Sequence, residues 1–164
     1  MDNFDDLVAR GWADADVDDP QPTVKHFRAL LDERPESADA MFAYASALDF
    51  AGLEPDAAPE YERAFAAGLS GENLRQGLIQ YGSTLRNLNR FDEAVSALRK
   101  ADAQFPGNAS VAAFLALALT SAGRANEAVA NLLTLALDRI DAAELQRYSR
   151  ALKAYAADIQ RDPA

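Results

Sequence analysis

The chain of 164 residues has no cysteine, one histidine and one tryptophan. Without Cys there is neither a disulfide framework nor a thiolate for metal binding or nucleophilic attack. His26 alone makes neither a catalytic dyad nor a usual zinc site, and it reads as a surface or helix-packing residue. No apolar run reaches the roughly 18 residues of a membrane-spanning helix. The richest, Ala109 to Ala122, is short and carries Ser110 and Thr120. The opening stretch MDNFDDLVARGW is acidic, without the basic n-region and apolar h-region of a secretory signal. A cytoplasmic protein with no membrane partner is expected.

Chemical motifs are missing as well. The acidic run from Asp14 to Lys25 puts Asp19 where a calcium loop needs Gly, and Lys25 where it needs a bidentate Glu. The segment YGSTLRN lacks the Gly-x-Ser-x-Gly spacing of a nucleophile elbow. Neither a Gly-rich phosphate loop nor a nucleic-acid motif occurs. The sequence therefore gives no catalytic residue, no metal ligand and no cofactor site, and a non-enzymatic role is expected.

What is present is helix-forming material. Some 49% of residues are apolar, with Ala very frequent, which suits an all-α fold of one compact domain and suits a β-sheet poorly. The formal charge is −10, and residues 1–40 account for −7 of it. Such a field repels phosphate backbones, so nucleic acid is not an expected partner. A local basic excess, Arg75, Arg86, Arg90, Arg99 and Lys100 against Asp92 and Glu93, reads as solvated helix surface.

Self-similarity organises the chain. Gly52, Asn89 and Gly123 each follow an apolar helical pattern and suit a left-handed helix end. Five residues after each stands Ala57, Ala94 or Ala128, and four further a larger residue, Tyr61, Leu98 or Leu132. Ala64, Ala101 and Leu135 lie three beyond. Seven residues before the anchors come Ala45, Gly82 and Ala116, with Leu48, Leu85 and Leu119 three positions later. The anchors are 37 and 34 residues apart, and the three extra residues fall in AGLSGEN, 67–73, where they are expected to lengthen a loop.

This pattern resembles the tetratricopeptide repeat, a helix-turn-helix unit of about 34 residues with small residues at set positions. Pro106 and Pro35 match its terminal proline, whereas Leu69, Ile140 and Leu135 depart from it. YERAFAAGLSG and YGSTLRNLNRFDEAV are most like short bacterial members, and thirteen Arg against three Lys hints at a GC-rich genome. The resemblance implies an all-α, right-handed superhelix over 1–164, with units near 4–35 (degenerate), 38–71, 75–108 and 109–140. Asp141 and Glu144, spaced like a capping box, then open a closing helix over 141–160, which makes nine helices. Pro55 and Pro59 are expected to disturb the first turn of the helix that contains them.

Family members bind partners on the concave face lined by the first helix of each unit. By that resemblance the groove here comprises Phe42, Ser46, Asp49 and Phe50, then Ile79, Ser83, Arg86 and Asn87, then Phe114 and Leu117. Its apolar strip of Phe42, Phe50, Ile79, Phe114 and Leu117 implies a protein or peptide partner, with Arg86 and Asn87 supplying polar specificity. Phe42, Ser46, Ser110 and Phe114 replace the Lys, Asn and Arg of members that grip a chaperone's terminal carboxylate. Alternatives are a homodimer that buries the groove, or filling by the terminal helix with Tyr148 and Tyr155.

Small residues at equivalent positions imply close helix approach. Gly82→Leu or Ala94→Leu is expected to destabilise by about 1–3 kcal/mol through overpacking, read as a lower urea midpoint; an unchanged midpoint refutes the registration.

Overall fold

The computed structural model describes residues 3–161, which form ten α-helices and, among the described residues, no strand. In order they are α1 Phe4–Ala13, α2 Gln21–Glu33, α3 Ala38–Phe50, α4 Glu54–Ala66, α5 Gly71–Asn87, α6 Phe91–Gln104, α7 Ala109–Ser121, α8 Ala125–Arg139, α9 Ala143–Arg147 and α10 Ser149–Arg161. The helices pair as α3 with α4, α5 with α6 and α7 with α8. Each pair leans on the next, with α3, α5 and α7 forming one row.

Local chemistry sets the boundaries. The Ser37 and Asn108 side chains accept hydrogen bonds from the backbone N–H groups of Ala40 and Val111, capping α3 and α7. At the other ends Gly52, Asn89 and Gly123 all take positive φ, 70°, 60° and 74°. There the N–H of Leu53, Arg90 or Arg124 donates to Leu48, Leu85 or Leu119 at 2.8–2.9 Å, closing three equivalent Schellman turns. These are the anchors on which the repeat was aligned.

The small positions do what their size implies. Ala45, Ala57, Ala64, Ala94 and Ala101 are fully buried. A Cβ on Gly82 would lie 2.5 Å from Leu98 Cγ, so α5 and α6 touch where only a hydrogen fits. Tyr61, Leu78, Leu85 and Leu98 fill the space between these contacts.

Three expectations change. The three extra residues do not lengthen a loop: 67–70 is as short as 34–37 and 105–108, and α5 runs to 17 residues where α3 and α7 have 13. A helical turn absorbs them because Leu74 packs into the core while Glu72, Arg75 and Gln76 satisfy one another at the surface. α4 is continuous, because Pro55 occupies its first turn, where no N–H is needed, and exposed Pro59 costs only one early hydrogen bond.

At the C-terminus ten helices replace nine. Asp141 does not cap, since the helix begins after Ala142 without a side-chain cap. The Gln146 amide instead donates to Leu137 and Ile140 carbonyls, which ties α9 to the end of α8. The chain then turns at Tyr148 so that α10 lies along α8 through buried Ala156.

The first pair, α1 and α2, packs differently from the pairs that follow. α1 meets α2 narrowly at Gly11, where a Cβ would stand 2.5 Å from the His26 ring and 2.7 Å from Phe27. His26 Nε2–H donates to the Leu7 carbonyl at 2.9 Å, so this histidine packs a helix. Trp12 lies across Phe27, with centroids 4.8 Å apart, and meets Phe50 of α3 edge-on at 5.7 Å. Gly11→Ala is expected to lose about 1–3 kcal/mol by pushing these rings apart. Trp12, the sole tryptophan, should red-shift as α1 loosens; unaltered stability and emission would overturn this docking.

Candidate binding cleft

α1, α3 and α5 enclose a cleft of about 780 Å³, within the range of ligand and peptide sites. α3 is its floor, through Asp39, Phe42, Ala43, Ser46, Asp49 and Phe50. α1 makes an apolar wall from Phe4, Val8, Ala9 and Trp12, with Asp5 beside them. α5 makes a polar wall from Asn73, Gln76, Gln80, Ser83 and Asn87, and Glu54 closes one end.

The spacing of the repeat builds the polar wall. Residues 34 or 35 apart on α3 and α5 face each other, and three such pairs hydrogen-bond, while Asn87 of α5 reaches Glu54 at the start of α4. Asn73 Nδ2 donates to Asp39 at 2.8 Å, Ser46 to Gln80 Oε1 at 2.8 Å, Thr84 to Asp49 at 2.9 Å and Asn87 Nδ2 to Glu54 at 3.4 Å. Gln80 Oε1 also accepts from Tyr61 Oη of α4 at 3.0 Å, which anchors the ladder in the core. Ser46 also lies 2.9 Å from the Phe42 carbonyl, so its one proton serves a single acceptor at a time.

Charge in the cleft has one sign. Asp5, Asp39, Asp49 and Glu54 line it, and among the described residues neither Lys, Arg nor His does. None of the four joins an ion pair among the described residues, although the surface elsewhere is laced with them. The former basic excess is part of that lacing: Arg75 pairs with Glu72, Arg90 with Glu93 and Arg99 with Glu127. Burial raises the Asp49 carboxyl above the ordinary aspartate range; the hydroxyls of Thr84 and Tyr61 oppose this, and the Glu54 charge adds to it. Burial, with the Asp49 charge, pushes the Tyr61 phenol far up, so it stays a neutral donor.

Of the expected groove residues, Phe42, Ser46, Asp49, Phe50, Ser83 and Asn87 come together in this cleft. Ile79, Arg86, Phe114 and Leu117 lie outside its lining. The expected apolar strip is not an exposed surface. Phe42 and Ile79 are each 8% exposed, Phe114 is half-buried against the core, and Leu117 is 49% exposed. Phe42 turns inward into the core, where it packs in the cluster of Tyr61, Ala64 and Leu69. Ile79 packs with Val111 of α7. Arg86 is half-buried, with its Nε unpaired.

Sequence reasoning missed the α1 wall, Glu54 and Asn73. A signal existed, since Val8 and Trp12 belong to the apolar stripe of α1, wider than one narrow contact with α2 requires. Tyr148 and Tyr155, 57% and 61% exposed, do not fill the cleft, because α10 packs on α8.

A row of paired helices carrying a lined cleft defines a helical-repeat protein. The tetratrico peptide repeat model matches residues 38–159, and the chain belongs to that family. Among solved structures it is similar to YrrB, described as a TPR protein with an unusual peptide-binding site, at 14% identity and a TM-score of 0.59 over 95% of this chain and 86% of that one. No curated protein matches the sequence. Among the described residues no helix is long and apolar enough to cross a membrane.

Asp49 supplies a pH test. The native state holds its proton more tightly than the unfolded chain, so stability falls as pH rises from the ordinary aspartate value through the raised one. Asp49→Asn keeps an acceptor for Thr84 and cannot ionise. It should melt higher than wild type near neutral pH and equally well below the aspartate range; a lower melting point near neutrality would contradict the burial argument.

Proposed function

We propose that the chain is a non-enzymatic protein–protein interaction module, a single domain over 1–164, that binds a peptide or helix of a partner in the α1–α3–α5 cleft. The cleft itself is the observation that carries this reading, with a volume near 780 Å³ and an apolar wall facing a hydrogen-bonding one. Such a pairing suits a polypeptide, which offers apolar side chains and main-chain polar groups together. Family membership supports a binding role, and the peptide-binding site of the YrrB neighbour supports the mode.

The groove of this proposal keeps Phe42, Ser46, Asp49, Phe50, Ser83 and Asn87 and adds the α1 wall. Ile79 and Phe114 support it from the core, and Arg86 and Leu117 extend along the same row of helices toward α7. The acidic surface argues against nucleic acid as the partner.

A second reading, a homodimer, draws on exposed apolar residues toward the C-terminal end, Val129, Leu132, Ile140 and Tyr155. Photo-crosslinking separates the two. A photoreactive amino acid at Ser83 should yield adducts with other proteins in host cells, whereas one at exposed Ala103 of α6 should not. Equal adducts from both positions, or adducts only with a second copy of this chain, would overturn the cleft as the docking site.

A further inference from the structure

We infer that the occupant of the cleft is a polypeptide segment that brings Lys or Arg beside an apolar side chain, its cation seated between Asp49 and Glu54 and its apolar neighbour against Trp12 and Phe50. The inference rests on the peptide-binding reading above and names the chemistry of the partner.

Charge complementarity is the first argument. Every ionisable group lining the cleft is a carboxylate, and none has a cation of its own among the described residues. The same chain pairs Arg with Asp or Glu repeatedly on its outer surface, including Arg124 with Glu127 and Arg63 with Glu60. Carboxylates left in a concave, partly desolvated site focus a negative potential that a cation from outside relieves. Asp49 feels the Glu54 charge, and a guanidinium or ammonium between the two would turn that repulsion into attraction.

The second argument limits what carries the cation. The carboxylates are distributed along the cleft, and among the described residues no three His, Cys, Asp or Glu are gathered so as to hold a metal ion. A free metal ion therefore lacks a coordination sphere here. The opposite wall is apolar and aromatic, with Trp12 in edge contact with Phe50. An Arg plane or an aliphatic side chain finds burial there, and a Lys stem lies along it with its head at the acids. Gln76, Gln80 and Asn87 of α5 line the polar side, and each keeps amide hydrogen-bonding capacity beyond its contacts with Glu72, with Ser46 and Tyr61, and with Glu54, for the main chain of such a segment.

The test uses the full chain and a random dodecapeptide library displayed on phage. Selected peptides should be enriched in Lys or Arg next to an aromatic or aliphatic residue. Replacing the cation of the best peptide by Gln should weaken it by about tenfold or more, the scale of a hydrogen bond to a charged group. In Asp49→Asn/Glu54→Gln, the cationic and Gln peptides should bind with near parity. Should that variant fold poorly, Ser83→Lys, which places a like charge in the cleft, should abolish the cationic peptide's binding at an unchanged melting point. Peptides without cationic bias that are lost in Ser83→Trp would overturn this inference and leave the cleft reading standing. Enriched peptides indifferent to Ser83→Trp, or no enrichment at all, would overturn both.

Discussion

Gly82 and Leu98 meet at a distance that leaves no room for a methyl group, and the position of α5 follows from that contact. α5 is the central member of the row, packed on α3 and α4 before it and on α6 and α7 after it. Drawn against α6 by the missing side chain, it presents its other face to α3 at the separation where Ser, Thr, Asn and Gln side chains reach across. A wider α5–α6 spacing would shift that face and leave Asp49, a partly buried carboxylate, without Thr84. Core packing thus sets the geometry of the polar wall, and the wall sets one side of the cleft.

Much of this was legible because helix packing depends on side-chain size at fixed intervals. Ala57, Ala94 and the glycine and asparagine at the turns had no other plausible use, and all serve close approach or positive φ. The extra turn of α5 was less legible. Gly68, Ser70 and Gly71 look like loop residues, and only Leu74 with the Glu72–Arg75–Gln76 set shows that a helix starts so early. The split cap depends on Gln146 reaching carbonyls outside its own helix, which no local pattern announces.

The groove was half legible, for a physical reason. Position within a repeat tells which way a side chain leaves its helix, and the neighbouring helix decides whether it ends in solvent. Phe42 departs toward the concave side and is covered by the core around Tyr61 and Leu69; Ile79 packs with Val111. The acidic bias of the first forty residues likewise had a location that counting could not supply. Asp5 and Asp39 belong to it; Asp39 shares α3 with Asp49, and Asp5 joins them and Glu54 only because α1 folds across the face of α3.

The hydrogen-bonded ladder between α3 and α5 has no counterpart between α5 and α7, where Leu78, Ile79 and Val111 pack as hydrocarbon. Apolar junctions of this kind accept many neighbours of similar size, so repeats joined by them are interchangeable parts. A junction with Asp39, Ser46, Asp49 and Glu54 on one side accepts only a neighbour that presents donors to the carboxylates and an acceptor to Ser46 in the same register. A duplicated or transplanted repeat at that seam would strand a carboxylate and a serine. The first half of the array is thereby fixed in its order, while the second half can be lengthened or exchanged.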